Sequence, residues 1–115
     1  MKNGFALAAL AATLMGAAPL AGAQDAWVIG VSAAMTGPAA ATYAPVVESM
    51  KAYLEHVNAK GGIRGKPVKL VVLDDSAQPS RAAANAKRLL TEDKVVLLMN
   101  SSLSSTYAPM VAEAK

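Results

Sequence analysis

Five hydroxyl-bearing side chains fall within six residues, at Ser101, Ser102, Ser104, Ser105 and Thr106, directly after the apolar run Val95-Val96-Leu97-Leu98-Met99 and Asn100. Two kinds of chemistry suit such a cluster. Hydroxyls and free backbone N–H groups can hold an anion, and the start of a helix, whose first amides lack intrahelical partners, adds its positive dipole end. The simpler alternative is that Ser104 or Ser105 only caps the helix that the spacing predicts from Tyr107 onward, since serine is a preferred N-cap residue. A third use, nucleophilic attack by a serine, needs an activating base. The sole histidine, His56, is expected on the flank of a helix, and the chain has no Gly-x-Ser-x-Gly turn, so a serine hydrolase is not expected.

The other reactive residue types offer less. Asp74-Asp75 is a pair of adjacent acids at a strand end, where acids usually terminate the strand and solvate the turn. Gly61-Gly62-Ile63-Arg64-Gly65-Lys66-Pro67 contains the Gly-Lys pair of a phosphate loop, but Lys60 stands where the first glycine is needed and Pro67 where Ser or Thr is needed. It is expected to be a turn. One histidine and no cysteine make a zinc site improbable, and neither a metal nor a cofactor is expected. The formal charge of +3 is spread without a basic run, so nucleic acid is not an expected partner.

The elements that must position the hydroxyls follow from apolar spacing. A first strand is expected at Trp27 to Val31, with a long loop from Ser32 to Thr42. A helix from Pro45 is expected to carry the stripe Val46, Val47, Met50, Tyr53, Leu54 and Val57, closing at Gly61-Gly62. Val68 to Leu73 reads as the second strand. Gln78-Pro79-Ser80 opens a second helix with the stripe Ala82, Ala83, Ala86, Leu89 and Leu90, and Val95 to Met99 reads as a third strand, buried on both faces. This β, α, β, α, β, α order predicts an α/β three-layer sandwich with a parallel sheet. In strand order 2-1-3, with right-handed crossovers, the switch point falls between strands one and three. Ser32 to Thr42 and Asn100 to Ser105 would line it, where open α/β sheets bind ligands.

At the N-terminus Lys2 precedes an apolar stretch from Phe5 to Met15 and the small residues Ala21-Gly22-Ala23. This is the pattern of a secretory signal peptide over residues 1–23, cut after Ala23, and it places the mature chain in the periplasm. The remaining 92 residues, 24–115, carry a formal charge of +2 and are few for a self-sufficient α/β domain, which at this size buries roughly 60% of its unfolded surface. The sequence also stops within the helical pattern Ala112-Glu113-Ala114-Lys115, so an incomplete domain is expected.

Taken in order, these residues resemble the periplasmic substrate-binding proteins of branched-chain amino-acid ABC transporters, the leucine-binding family. The likeness rests on Ile29-Gly30-Val31, Met35-Thr36-Gly37-Pro38, the run Val57 to Val68, Leu70-Val71-Val72-Leu73-Asp74-Asp75, Ala84-Asn85-Ala86 and Ser104-Ser105. The resemblance implies a two-lobed type I periplasmic fold, of which residues 24–115 would be the first part of lobe one. It implies capture of a small carboxylate-bearing solute, an amino acid of branched-chain type, and its delivery to an ABC permease in the inner membrane. The ligand's carboxylate would be held by Ser104, with Ser105 and Thr106, near Ser102, and Tyr43 would correspond to an aromatic that closes over the ligand. Where the family usually has glycine at the opening of the third loop, this chain has Asn100, for which a left-handed conformation carries a cost. The alternatives are a periplasmic sensor of the same fold feeding a receptor and a non-functional truncated remnant.

Overall fold

The computed structural model describes residues 25–115; the expected leader, residues 1–23, and its cleavage site lie outside the described residues. Three strands, β1 (Trp27–Ala33), β2 (Val68–Asp74) and β3 (Leu97–Ser101), form a parallel sheet in the order β2-β1-β3. Helix α1 (Ala40–Ala59) links β1 to β2, and α2 (Pro79–Thr91) links β2 to β3. After β3 a 3₁₀ turn at Ser104–Thr106 runs into α3 (Tyr107–Glu113).

Strand alternation sorts the core onto two faces. On one, Val31 and Ala33 of β1 pack with Val47 of α1, joined by Ile29, Met50, Leu70, Val72 and Met99. On the other, Ala82 and Ala86 of α2 meet Met110 of α3 and Leu98 of β3. The central strand must also let a helix end come close. A Cβ added at Gly30 would lie 2.8 Å from Val95 Cγ1 and 2.9 Å from Leu89 Cδ2, so glycine allows the chain leaving α2 to seat against β1.

Several element boundaries differ from those expected, and β1 runs two residues past Val31 to Ala33. The first helix begins at Ala40, five residues before Pro45, and Pro45 lies inside it. The alanines at 39–41 are strong helix formers, and Pro45, in the second turn, forfeits the one ladder bond that an N–H there would have made to Ala41 O. The loop after β1 is correspondingly shorter, and Tyr43 sits on the helix. Val47 is buried on this helix, whereas Val46 and Tyr53, expected in its stripe, are exposed. The third strand runs Leu97–Ser101, shifted two residues toward the hydroxyl cluster. Val95 N–H closes α2 by donating to Leu89 O (3.1 Å), while Asn100 and Ser101 continue in register with Ser32 and Ala33. Asn100 therefore has strand geometry, and no positive φ is found there.

The glycine-rich segment 61–67 is a turn leading into β2. Gly62 has φ +73°, and a Cβ there would come within 2.0 Å of Lys66 O. The Asn58 side chain clamps the segment's exit by bonding both Val68 N (2.7 Å) and Val68 O (2.8 Å).

Candidate functional site

The carboxyl ends of all three strands converge on two adjacent acids. Because successive strand residues point to opposite faces, Asp74 and Asp75 organise different surroundings.

Asp74 faces the loop after β1. Its Oδ1 accepts from Met35 N (2.9 Å), Thr36 N (3.2 Å) and Ser76 N (2.9 Å), and its Oδ2 accepts from Thr36 Oγ1 and Ser76 Oγ (3.1 Å). Burial pushes the Asp74 carboxyl up, but the hydrogen bonds from Thr36 and Ser76 and from the backbone at Met35 outweigh it and lower the pKa to about 2. Thr36 Oγ1 also meets Ser76 Oγ at 2.7 Å, and Arg81 Nη1 donates to that hydroxyl (3.0 Å).

Asp75 faces α2 and is completely buried. Its Oδ2 accepts from Ser32 Oγ of β1 (2.7 Å), and its Oδ1 accepts from Ser102 Oγ (2.7 Å) and Ala77 N (2.8 Å). Asn85 Nδ2 of α2 donates to Ser32 Oγ at 3.1 Å. The carboxylate is thus ringed by donors, the arrangement that makes a buried acid tolerable. Ser76 and Ala77 pay for the tight turn with φ of 48° and 60°. Each is held there by a side-chain bond from the acid two residues before it, a local pattern that Asp commonly makes.

Asn100 organises the third loop from within. Its Oδ1 accepts from Ser102 N (2.9 Å), and its Nδ2 reaches Thr106 Oγ1 and Met110 Sδ, both at 2.8 Å. Thr106 Oγ1 in turn donates to Leu103 O (2.7 Å).

The structure therefore divides the expected site residues into two groups. Ser102 and Thr106 are buried, and their hydroxyls are engaged inside the protein. Ser104 and Ser105 are exposed on the 3₁₀ turn, make no side-chain capping bond, and their N–H groups meet no backbone acceptor among the described residues. Tyr43 is half-buried on the first turn of α1, at the same end of the sheet but on the other wall of the switch point. His56 is exposed on α1. Among the described residues no group of three or more His, Cys, Asp or Glu side chains could hold a metal ion, and no helix is long and apolar enough to cross a membrane.

Sequence reasoning expected Asp74 and Asp75 to end a strand and solvate a turn, whereas Asp75 is fully buried, and it gave no role to Ser32 or Asn85. One signal was available. Asn85 falls three residues after Ala82 and four before Leu89, so it lies on the apolar stripe of α2, where a polar side chain needs a buried partner.

Comparison with known proteins gives consistent results. A family model described as periplasmic binding protein matches residues 26–115. An amino acid binding protein of Pseudomonas aeruginosa is 37% identical over 82 residues, covering 71% of this chain and 22% of that protein. A Leu/Ile/Val-binding protein of Rhizobium johnstonii is 36% identical over 87 residues, covering 73% of this chain and 23% of that protein. Among solved structures, the branched-chain amino acid transporter substrate binding protein of Streptococcus pneumoniae, in complex with isoleucine, superposes with a TM-score of 0.74 at 28% identity, covering 78% of this chain and 26% of that one. A type 1 periplasmic binding protein of Bordetella pertussis gives 0.72 at 28% identity, covering 78% and 24%. The chain spans about a quarter of the length of the relatives it matches.

Proposed function

From the premise that this chain belongs to the periplasmic binding protein family, we propose that it supplies one wall of a solute site that captures a small carboxylate-bearing molecule, an amino acid of branched-chain type. The solute is delivered to an ABC permease of the inner membrane. The observation that carries this reading is the pair Ser104 and Ser105, exposed and with open N–H groups, at the carboxyl end of β3 beside the β1/β3 switch point. No bond is made or broken. The solute's carboxylate sits at the hydroxyls and N–H groups of Ser104 and Ser105, while the Thr106 N–H closes the turn onto Leu103 O (2.9 Å). Ser102 contributes by holding the loop in place, because its hydroxyl is committed to Asp75 and its N–H to Asn100 Oδ1. Tyr43, on the opposite wall, closes over the solute.

The magnitudes suffice for part of the affinity. A hydrogen bond to a charged group contributes about 1.5 to 3 kcal/mol, and a helix dipole about 0.3 to 1 kcal/mol. Two or three such contacts supply a large share of the roughly 8 kcal/mol behind micromolar binding. A second lobe supplies the rest, including the partner for the solute's amino group. The relatives' names support the solute class: one is a Leu/Ile/Val-binding protein, and another is held in complex with isoleucine.

The reading also places the protein in the periplasm, exported by residues 1–23. Mass spectrometry of periplasmic protein should find Gln24 at the N-terminus, and recovery of intact Met1 in the membrane fraction would contradict export with cleavage. The solute class is tested by titrating the intact protein that carries this segment with the common amino acids and with their decarboxylated amines. Binding of an amine as tight as that of its parent amino acid would overturn the carboxylate site.

A further inference from the structure

We propose that Asp75, which is sealed from solvent, is the positioning residue of the solute loop and thereby a determinant of affinity; this rests on the reading that Ser104 and Ser105 hold the solute. The loop from Ser102 to Thr106 has two sets of side-chain ties. The first is Asn100, which bonds Ser102 N and Thr106 Oγ1 and so fixes the loop to its own strand. The second is Asp75, which through Ser102 Oγ fixes the loop to the ends of β2 and β1. The backbone bond from Ala34 N–H to Ser101 O (3.1 Å) joins the two walls at the strand ends, and beyond it the second set is the side-chain tie that carries the loop across to other strands.

That opposite wall is held by the neighbouring acid. Met35 and Thr36, in the loop after β1, bond Asp74. Two consecutive carboxylates at the end of one edge strand therefore fix both walls of the switch point. Asp74 sets the loop leading to Tyr43, and Asp75 sets the loop bearing Ser104 and Ser105. A carboxylate suits the inner position because every partner of Asp75 donates to it.

The partner geometry makes the conservative variant informative. In Asp75→Asn the amide oxygen can keep the Oδ1 position, retaining Ser102 Oγ and Ala77 N, while the amide nitrogen faces Ser32 Oγ. Asp75→Asn thus preserves the tie to the loop, and Asp75→Ala removes it. Backbone NMR relaxation on the unliganded intact protein reads the positioning without any solute, and it reads Ser104 and Ser105 although their N–H groups have no backbone acceptor among the described residues. Asp75→Ala should lower the amide order parameters of Ser104, Ser105 and Thr106 from about 0.85 to below about 0.6 while Val31 and Val72 stay near about 0.85, and Asp75→Asn should match wild type throughout. A uniform change at loop and sheet amides, or no change in the loop, would overturn the proposal and leave Asp75 as a purely structural acid. Titration with L-isoleucine separates this idea from the reading beneath it. If Ser104→Ala weakens binding and Asp75→Ala does not, the positioning role fails and the solute site stands. If Asp75→Ala loosens the loop while Ser104→Ala leaves isoleucine binding unchanged, the solute site fails and the tie to the loop stands.

Discussion

Ser102 Oγ donates to Asp75 Oδ1 at 2.7 Å, joining the loop after β3 to the end of β2 across the intervening central strand, and both residues are buried. The bond spans 27 residues of sequence, so it is purely a product of the strand order. β1 lies between the two strands and contributes Ser32 to the same carboxylate.

Ser102→Ala should therefore destabilise the protein by about 1.5 to 3 kcal/mol, the usual cost of losing a hydrogen bond to a charged group. Ser32 and Ala77 would still satisfy the carboxylate in part. Ser104→Ala, at an exposed site, should change stability by less than about 0.5 kcal/mol. Chemical denaturation of the two variants side by side checks the contrast.

Asp74 provides a pH dependence. Its folded pKa of about 2 lies below the ordinary 3.8. A depressed carboxyl contributes stability that is fully present above the unfolded value and is lost as pH falls through 3.8 toward 2. Carboxyl NMR should show Asp74 titrating near 2, and Thr36→Val, which removes the hydroxyl donor, should move the midpoint up toward 3.8. An unmoved midpoint would mean that the backbone donors at Met35, Thr36 and Ser76 suffice.

Residues 24–115, made as an isolated polypeptide, should self-associate. β3 pairs with β1 on one side, and its outer edge has no partner among the described residues. Val96 and Leu97 are 62% and 49% exposed there, and Leu98, Tyr107, Met110 and Val111 line an apolar groove alongside. No charged residue occurs between Lys94 and Glu113 to guard the edge. Sizing at micromolar concentration should show oligomers, and a monomer with a cooperative thermal transition would contradict the expectation.

Much of the fold was legible in the sequence, because apolar periodicity and turn residues fix a β/α alternation and the crossover rule restricts its handedness. The strand order 2-1-3, taken as a premise and not fixed by the spacing, is the order observed. The boundaries around Pro45 and Val95 were not legible. Helix propensity carried α1 back to Ala40, and register with Ser32 and Ala33 carried β3 on into Asn100 and Ser101. The serine cluster drew attention to the loop after β3, but composition cannot say which hydroxyls turn inward. That depends on Asp75, twenty-seven residues away in sequence, and on the local fork of Asn100. The Asp74-Asp75 pair looked like a solvated strand end because its partners, Thr36 and Ser102, lie on other elements.

The central claim is that the solute's carboxylate is held at Ser104 and its neighbours. The direct measurement is calorimetric titration of wild type and Ser104→Ala, each in the intact protein, with L-isoleucine and with its decarboxylated amine, closing a cycle between one side chain and one ligand group. Ser104→Ala should weaken isoleucine binding about ten-fold or more through a lost bond to a charge, while the amine binds wild type poorly and loses little further in the variant. Equal losses for the two ligands, or none for isoleucine, would contradict the account and leave Ser104 as a surface residue of the turn.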